Sequence, residues 1–247
     1  MIKKNPNVSI VTVNLNGAEF LEETILSVVN QKYKNIEYLV IDGGSTDGSL
    51  DIIKKYEDKI DYWESSRDRG IYDAMNKGVS LSCGKWINFL NSGDVFFNDH
   101  VLDKIFYKND YSNASIIYGD VEVRYSSGKK KINKSGKLSS LPKGSQFSHQ
   151  AAFIRSEYHK INKYNIQKKI VADFEFFYLA KKNNINFEYI NTIVSSVSSG
   201  GLSDIERIES IVGWWNVVEK SDYLNLYYVI KILHEILKKK LKTILRV

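Results

Sequence analysis

The sequence predicts an α/β fold: a mostly parallel, Rossmann-like sheet with helices on both faces, and an amphipathic helical extension at the carboxyl end. Three observations carry that prediction. Short β-rich apolar runs alternate with helix-period stripes over residues 8–90, the pattern of repeated βα units. The apolar runs end on polar residues, which belong at the ligand-binding edge of such a sheet rather than in a core. From Leu226 onward, leucine and isoleucine recur at helical spacing with lysine mostly opposite.

Taken in order, Val8–Asn14 (VSIVTVN) is nearly uniformly apolar, as a buried parallel strand is. Leu21, Ile25, Val28 and Val29 follow at helical spacing. Ile36–Ile41 is a second buried strand, closed by the glycine-rich turn Asp42–Gly48. A helix then runs through Ile52, Ile53 and Tyr56, a short strand fits Ile60–Trp63, a helix Ile71–Leu81, and a strand Lys85–Leu90. On the Ile71–Leu81 helix, Ile71 and Met75 read as core.

The second half changes character. Ser115–Tyr125 reads as a strand pair or one long bent strand, and Ser126–Ser145, basic and rich in Gly and Ser, as a hairpin and loop. Ala151–Ile154 is expected as a strand, Val171–Lys182 as a helix, Phe187–Val197 as strands and Ser195–Ser203 as a loop. Asp204 is expected to cap a helix running through Trp214 and Trp215. With no internal repeat and no linker, the division is one domain, residues 1–222, in halves 1–97 and 98–222, followed by a basic helix, 223–247.

Composition narrows the function. The 247 residues are 43% hydrophobic and 26% charged, enough for one sizeable core. The one cysteine, Cys83, excludes an intramolecular disulfide framework and a cysteine-rich metal site. No apolar run has the length of a bilayer span and no signal sequence is read at the amino end, so the cytoplasm is the default compartment. The net charge of +6 raises a nucleic-acid reading, but much of the excess lies in Lys129–Lys137 and in Lys231–Arg246. A nucleic-acid reader more often carries its basic patch on the main fold, in a recognisable module. No nucleic acid is therefore expected, and Lys129–Lys137 reads as a solvated hairpin or loop.

The chemistry gathers at the strand ends: Asn14 and Asn16, then Asp42, then Asn91, Ser92, Gly93 and Asp94. Asp42 precedes glycines that let backbone approach a ligand closely; a turn role is the alternative, one that Ser45 or Thr46 also suits. Asp68 opens a helix, either as its cap or as a ligand contact. Asp73 and Asn76 stand at i and i+3, on one helical face, as if serving one site. Asp173 and Glu175 lie in a strongly apolar helix start, a setting that raises a carboxylate pKa toward useful basicity.

Four blocks in order, SIVTVNLNG, IDGGSTDGS, DRGIYDAMNKG and GKWINFLNSGD, resemble glycosyltransferase family 2, in particular its bacterial exopolysaccharide and O-antigen branch. The resemblance covers residues 8–97 strongly and 145–205 more loosely, and it implies a GT-A fold with residues 1–97 as the nucleotide-sugar half and 98–222 as the acceptor half. It implies that Asp42 bonds the uracil imide of a UDP-sugar, with Asn14 in the same pocket. Asp94 matches the family's metal-binding aspartate, for Mn²⁺ or Mg²⁺, and Asn91 a residue near the ribose or sugar; Asp68, where it is not a cap, is expected to contact the base or ribose, and Ser92, Asp73 and Asn76 are counted with the donor. Asp173 matches the general base of an inverting transfer, with Glu175 as runner-up. His149 and Gln150 match positions lining the acceptor or donor sugar, and Ser198–Ser203 resembles a mobile lid. Two departures stand out. Gly43 replaces a second aspartate, and the strand-four cluster keeps Asp94 alone.

The implied acceptor is a polyprenyl-linked glycan. Leu226, Val229, Ile230, Leu233, Ile236, Leu237, Leu241, Ile244 and Leu245, with Lys231, Lys238, Lys239, Lys240, Lys242 and Arg246, form the pattern of a helix lying on an anionic membrane surface. That places the chain peripherally at the inner face of the cytoplasmic membrane; a homodimer, or packing on the domain, is the competing reading of the stripe. The rival activities are a nucleotidyltransferase, for which the Arg/Lys-bearing glycine loop after strand one is missing, and a catalytically silent sugar-nucleotide-binding protein.

Overall fold

The computed structural model describes residues 6–109 and 111–244; Leu245 and Arg246 of the terminal stripe lie outside them. The first half is a parallel βα array. β1 (Val8–Asn14) and β2 (Ile36–Asp42) are buried along their whole length and pair from Val8↔Ile36 to Asn14↔Asp42. β3 (Tyr62–Ser65) pairs with β2 on one side, and β4 (Trp86–Phe89) with β1 on the other. The intervening helices are α1 (Ala18–Val29), α2 (Ser49–Lys55) and α3 (Ile71–Leu81).

β3 begins two residues later than the Ile60 start expected, because Asp61 Oδ2 takes the Tyr38 N–H at 2.9 Å and the ladder opens only beyond it. Alternation on β1 sends Val8 and Ile10 to one face and Val11 and Val13 to the other. Leu21, Ile25 and Val28 of α1 cover the first face; Tyr72, Met75 and Val79 of α3 cover the second. Met75 is core as expected, but Ile71 is 41% exposed, since the helix turns that position away from β1.

The second half extends the sheet. β5 (Val95–Phe96) and α4 (Val101–Phe106) lead to β6 (Ile116–Arg124), one strand whose register shifts around Asp120. The basic stretch contributes β7 (Lys130–Asn133), antiparallel to β6, and then a 3₁₀ turn, Leu138–Lys143. A second 3₁₀ turn, His149–Ala151, precedes β8 (Ala152–Arg155) and α5 (Ser156–Ile161). α6 (Ala172–Lys182) and β9 (Phe187–Ser198) follow. Among the described residues the sheet has nine strands, in the order β3-β2-β1-β4-β8-β6-β9-β5, with β7 beside β6.

β9 runs through Ser198, so the loop expected over Ser195–Ser203 shrinks: Ser195 and Ser196 are buried in the ladder. The helix expected behind Asp204 is two, α7 (Leu202–Ile205) and α8 (Arg207–Val217), parted at Glu206. Asp204 lies inside α7 and its carboxylate takes the Gly200 N–H at 3.0 Å instead of capping α8. α9 (Asp222–Ile244) packs on the domain through Tyr228, which is fully buried with Leu141, Phe174, Ile211 and Trp214. Its opposite face leaves Leu226, Val229, Ile230, Leu233, Leu237 and Leu241 exposed.

Candidate active site

Register sets Asn14 beside Asp42 at the carboxyl edge of the sheet. Asn14 Nδ2 donates to Asp42 Oδ1 at 2.7 Å and to Ser45 Oγ at 3.1 Å. Asp42 Oδ1 also accepts from the Ser45 hydroxyl, while Oδ2 accepts from the Gly44 and Ser45 N–H groups and the Ser65 hydroxyl. Burial pushes the Asp42 carboxyl up, yet the Ser45 and Ser65 hydroxyls, the Ser45 N–H and the Asn14 amide together hold it below the usual carboxylate range. The Asp42 carboxylate is fully buried and all of its acceptor positions are taken by the surrounding turn. In this arrangement Asp42 organises the turn that closes β2, with both of its oxygens engaged there.

The block that opens α3 divides into separate tasks. Asp68 Oδ1 takes the Gly70 N–H at 2.8 Å, bracing the turn before the helix. Asp73 is engaged by Arg69, through the backbone N–H and the guanidinium at 3.1 Å each, and that hydrogen bonding holds its carboxyl down. Asn76 grips the Tyr164 backbone, donating to its carbonyl at 2.8 Å and accepting from its N–H at 2.9 Å. Asp73 and Asn76 therefore do not serve one site, because each is spent on a different neighbour.

At the end of β4 the chain turns through Asn91–Asp94, with Asp94 N–H bonded to the Asn91 carbonyl at 2.9 Å. A Cβ built on Gly17 would meet Asn14 Oδ1 at 2.5 Å and Ser92 Oγ at 2.6 Å, so Asn14 and Ser92 converge on that glycine. Asp94 is buried, and burial raises its carboxyl above the ordinary value despite hydrogen bonds from neutral donors: Gln150 Nε2 at 2.8 Å and the Ser198 N–H at 3.3 Å. Arg124 and Ser198 both donate to the Gly93 carbonyl, clamping the turn from behind. Among the described residues no cluster of three His, Cys, Asp or Glu groups is placed to hold a metal alone. The donor set suits a cation held by one carboxylate and by the phosphates of an arriving nucleotide.

Asp173 sits at the start of α6 with each oxygen occupied. Tyr72 Oη donates to Oδ1 at 2.8 Å, and His149 Nδ1 lies 3.3 Å from Oδ2. The other nitrogen of His149 is 3.3 Å from Asn91 Nδ2. Burial favours the neutral acid, but His149, Tyr72 and the Phe174 N–H outweigh it and lower the Asp173 pKa. This reverses the expectation that the apolar helix start would raise it. Glu175 points elsewhere, 3.9 Å from Lys168. Tyr72 was not expected at the site; its one signal is a hydroxyl on the otherwise apolar face of α3. The adjacent pair His149–Gln150 thus touches both ends of the Asn91–Asp94 turn, and through His149 it reaches Asp173.

The model of glycosyl transferase family 2 matches residues 9–180. The chain belongs to glycosyltransferase family 2. A PGL/p-HBAD biosynthesis glycosyltransferase of Mycobacterium bovis is 30% identical over 206 residues, covering 81% of this chain and 80% of the relative. An uncharacterized glycosyltransferase of Mycobacterium tuberculosis is 40% identical over 98 residues, covering 39% of this chain and 37% of the relative. These relatives are not named for exopolysaccharide or O-antigen assembly. Among solved structures, a mannosyltransferase from Pyrobaculum calidifontis in complex with GDP-Man and Mn²⁺ aligns with a TM-score of 0.66 at 14% identity, covering 94% of this chain and 69% of that one. S. aureus TarS in complex with UDP-GlcNAc aligns at 0.63 and 16% identity, covering 92% and 71%. The sheet and its flanking helices are the GT-A glycosyltransferase fold of these neighbours.

Proposed function

We propose that this glycosyltransferase moves a sugar from a nucleoside-diphosphate donor, a UDP-sugar foremost, to a hydroxyl of a lipid-linked glycan, with inversion at the anomeric carbon. The observation that carries the reading is the link from Asp94 through Gln150 and His149 to Asp173, which ties a donor-side carboxylate to a base-side one. The acceptor oxygen bonds to the anomeric carbon as the bond from that carbon to the phosphate oxygen breaks. The electron pair leaves with the diphosphate, and the acceptor proton passes to Asp173, whose orientation Tyr72 and His149 fix. Asn91, Ser92 and Asn14 are assigned to the donor side and His149 and Gln150 to the acceptor or sugar side, while Glu175, turned toward Lys168, has no assigned contact with either. Mn²⁺ or Mg²⁺, held by Asp94 and the donor phosphates, would neutralise the charge developing on the leaving diphosphate.

The acceptor is read as polyprenyl-linked and the pathway as bacterial surface polysaccharide synthesis. Among the described residues no helix is long and apolar enough to cross a membrane. The outward stripe of α9, with Lys238, Lys239 and Lys240, is suited to the anionic inner face of a cytoplasmic membrane. Residues 1–222 are then the catalytic part and 223–247 the membrane-associating part. Incubation with a panel of UDP- and GDP-sugars and a lipid-linked acceptor, followed by product NMR, tests the reading. Transfer with an inverted anomeric centre is expected. A retained configuration sinks the mechanism, and inertness toward every donor sinks the function.

A further inference from the structure

The two stretches that carry much of the positive charge, Lys129–Lys137 and Lys231–Arg246, stand far apart in sequence. Folding sets parts of both on one groove, lined by Asn133 of β7, Asp204 of α7, Arg207 of α8, and Glu235, Lys238 and Lys239 of α9. Its volume is about 610 Å³, inside the range of about 300–1,000 Å³ for small-molecule sites. Lys131 shares a face of β7 with Asn133, because strand side chains alternate. Lys130 and Lys134 are paired with Glu122 and Asp120, whereas Lys131 has no carboxylate partner among the described residues. Arg207 is half-buried with its guanidinium 5.0 Å from the centre of the Trp214 ring, and it makes no hydrogen bond or ion pair among the described residues. The stack fixes the plane of a group whose five N–H donors are unanswered. The neighbouring acids are turned to other partners: Asp204 takes the Gly200 N–H at 3.0 Å, and Glu235 lies 3.8 Å from Lys238.

We propose that this groove holds the diphosphate that joins an acceptor glycan to its lipid, with Arg207 as a two-pronged donor and Lys131, Lys238 and Lys239 as surrounding charge. This rests on the proposed lipid-linked acceptor and specifies how its head is held. Phosphate oxygens match the fork of a guanidinium two at a time. A flat anionic bilayer meets the exposed lysines but not the recessed Arg207, so the groove suits a single headgroup lifted out of the surface. Leu237 and Leu241, exposed on α9 beside these lysines, lie where the lipid chain would leave. The site is also near the chemistry. Asp204 follows Ser198 by six residues, and the Ser198 N–H bonds Asp94, so the groove is at most about 22 Å of chain from the donor-side turn. A short glycan spans that distance.

Titration calorimetry of the full chain with farnesyl diphosphate, farnesyl monophosphate and farnesol tests this, with UDP and Mg²⁺ already present so that the donor side is filled. The diphosphate is expected to bind about 10-fold tighter than the monophosphate, the scale of one hydrogen bond to a charged group, and farnesol weakest. Arg207→Gln is expected to lose about 10-fold for the diphosphate, with UDP affinity and co-sedimentation with phosphatidylglycerol vesicles unchanged. Lys131→Gln, at an exposed position away from the Trp214 stack, is expected to lose about 3-fold with an unchanged thermal melt, the scale of an exposed ion pair. Farnesol binding as tightly as the diphosphate, or both variants binding the diphosphate as wild type does, overturns the inference and leaves the glycosyltransferase reading standing. So does an Arg207→Gln that loses the vesicles in the same proportion as the diphosphate, since the groove then reads bilayer charge in general. A chain that binds the diphosphate but not UDP overturns the nucleotide-donor reading alone.

Discussion

Tyr72 Oη donates a hydrogen bond to Asp173 Oδ1 at 2.8 Å, joining the first helical turn of α3 to the start of α6 across 101 residues of sequence. Replacing Tyr72 with Phe frees one oxygen of the carboxylate assigned as base. The kcat is expected to fall about 10-fold with little change in donor KM, in line with one hydrogen bond to a charged group. Tyr72 and His149 hold the Asp173 pKa down, so Tyr72→Phe raises it. A base works ionised, and the acidic limb of the kcat–pH profile should move to higher pH. A limb that stays put while kcat falls would give Tyr72 a packing role only.

Asp173→Asn should keep donor binding and lose about 10²-fold or more in turnover, the scale for removal of a general base. Glu175, turned toward Lys168, should tolerate Gln with near-normal activity. The reverse pattern would move the base to Glu175.

Asp94→Ala should abolish transfer and weaken UDP binding in the presence of Mn²⁺, because Asp94, whose hydrogen bonds come from the neutral Gln150 amide and Ser198 N–H, is the carboxylate proposed to anchor the cation on the donor side. Titration calorimetry with and without Mn²⁺ is the measurement. Equal Mn²⁺-dependent UDP affinity in the two proteins would remove Asp94 from that role.

Asp42→Asn should act on stability rather than on base selection. The amide group of Asn turns a donor toward the Gly44 and Ser45 N–H groups and the Ser65 hydroxyl that Asp42 accepts from. A loss of about 2–3 kcal/mol is expected from unsatisfied buried donors. Because the Asp42 carboxyl is held below its ordinary value, its contribution is present at neutral pH and fades as pH falls through the carboxylate range. Denaturant melts at pH 7 and at about pH 2.5, below the ordinary aspartate value of 3.8, should therefore differ more for wild type than for Asp42→Asn.

Membrane association is best tested without deleting α9, since Tyr228 is fully buried against Phe174 and Trp214 and truncation would open that core. Ile230→Glu with Leu233→Glu and Leu237→Glu changes only exposed positions. The triple variant should melt as wild type does and lose co-sedimentation with anionic vesicles at low salt. It should also lose activity on a lipid-linked acceptor while keeping it on a short soluble one. A wild type that ignores vesicles, and a dimer that the variant abolishes in sedimentation velocity, would assign the stripe to a second copy instead.

The buried strands were legible because full apolar runs such as Val8–Asn14 and Ile36–Ile41 leave little alternative, and their polar ends fall at the carboxyl edge of the sheet. Less legible was anything set by contact between distant segments. Nothing local distinguishes Asp42, which takes five donors around its own turn, from Asp68, which takes the Gly70 N–H alone among the hydrogen bonds of the described residues. The Asp173 pKa followed from His149 and Tyr72, which folding brings to it from elsewhere in the chain, and not from the apolar neighbours visible beside it in sequence. The break at Glu206 and the exposure of Ile71 are likewise outcomes of packing.

His149 and Gln150 are consecutive, and they reach opposite partners: the first contacts Asp173, the second Asp94. A one-turn element anchored at both ends cannot shift toward one without shifting from the other. Attempts to widen the donor side for a bulkier sugar by substitutions near Gln150 will therefore tilt the imidazole and change proton transfer as well. Donor range and turnover in this enzyme should drift together under selection, and separating them requires substitutions away from that turn.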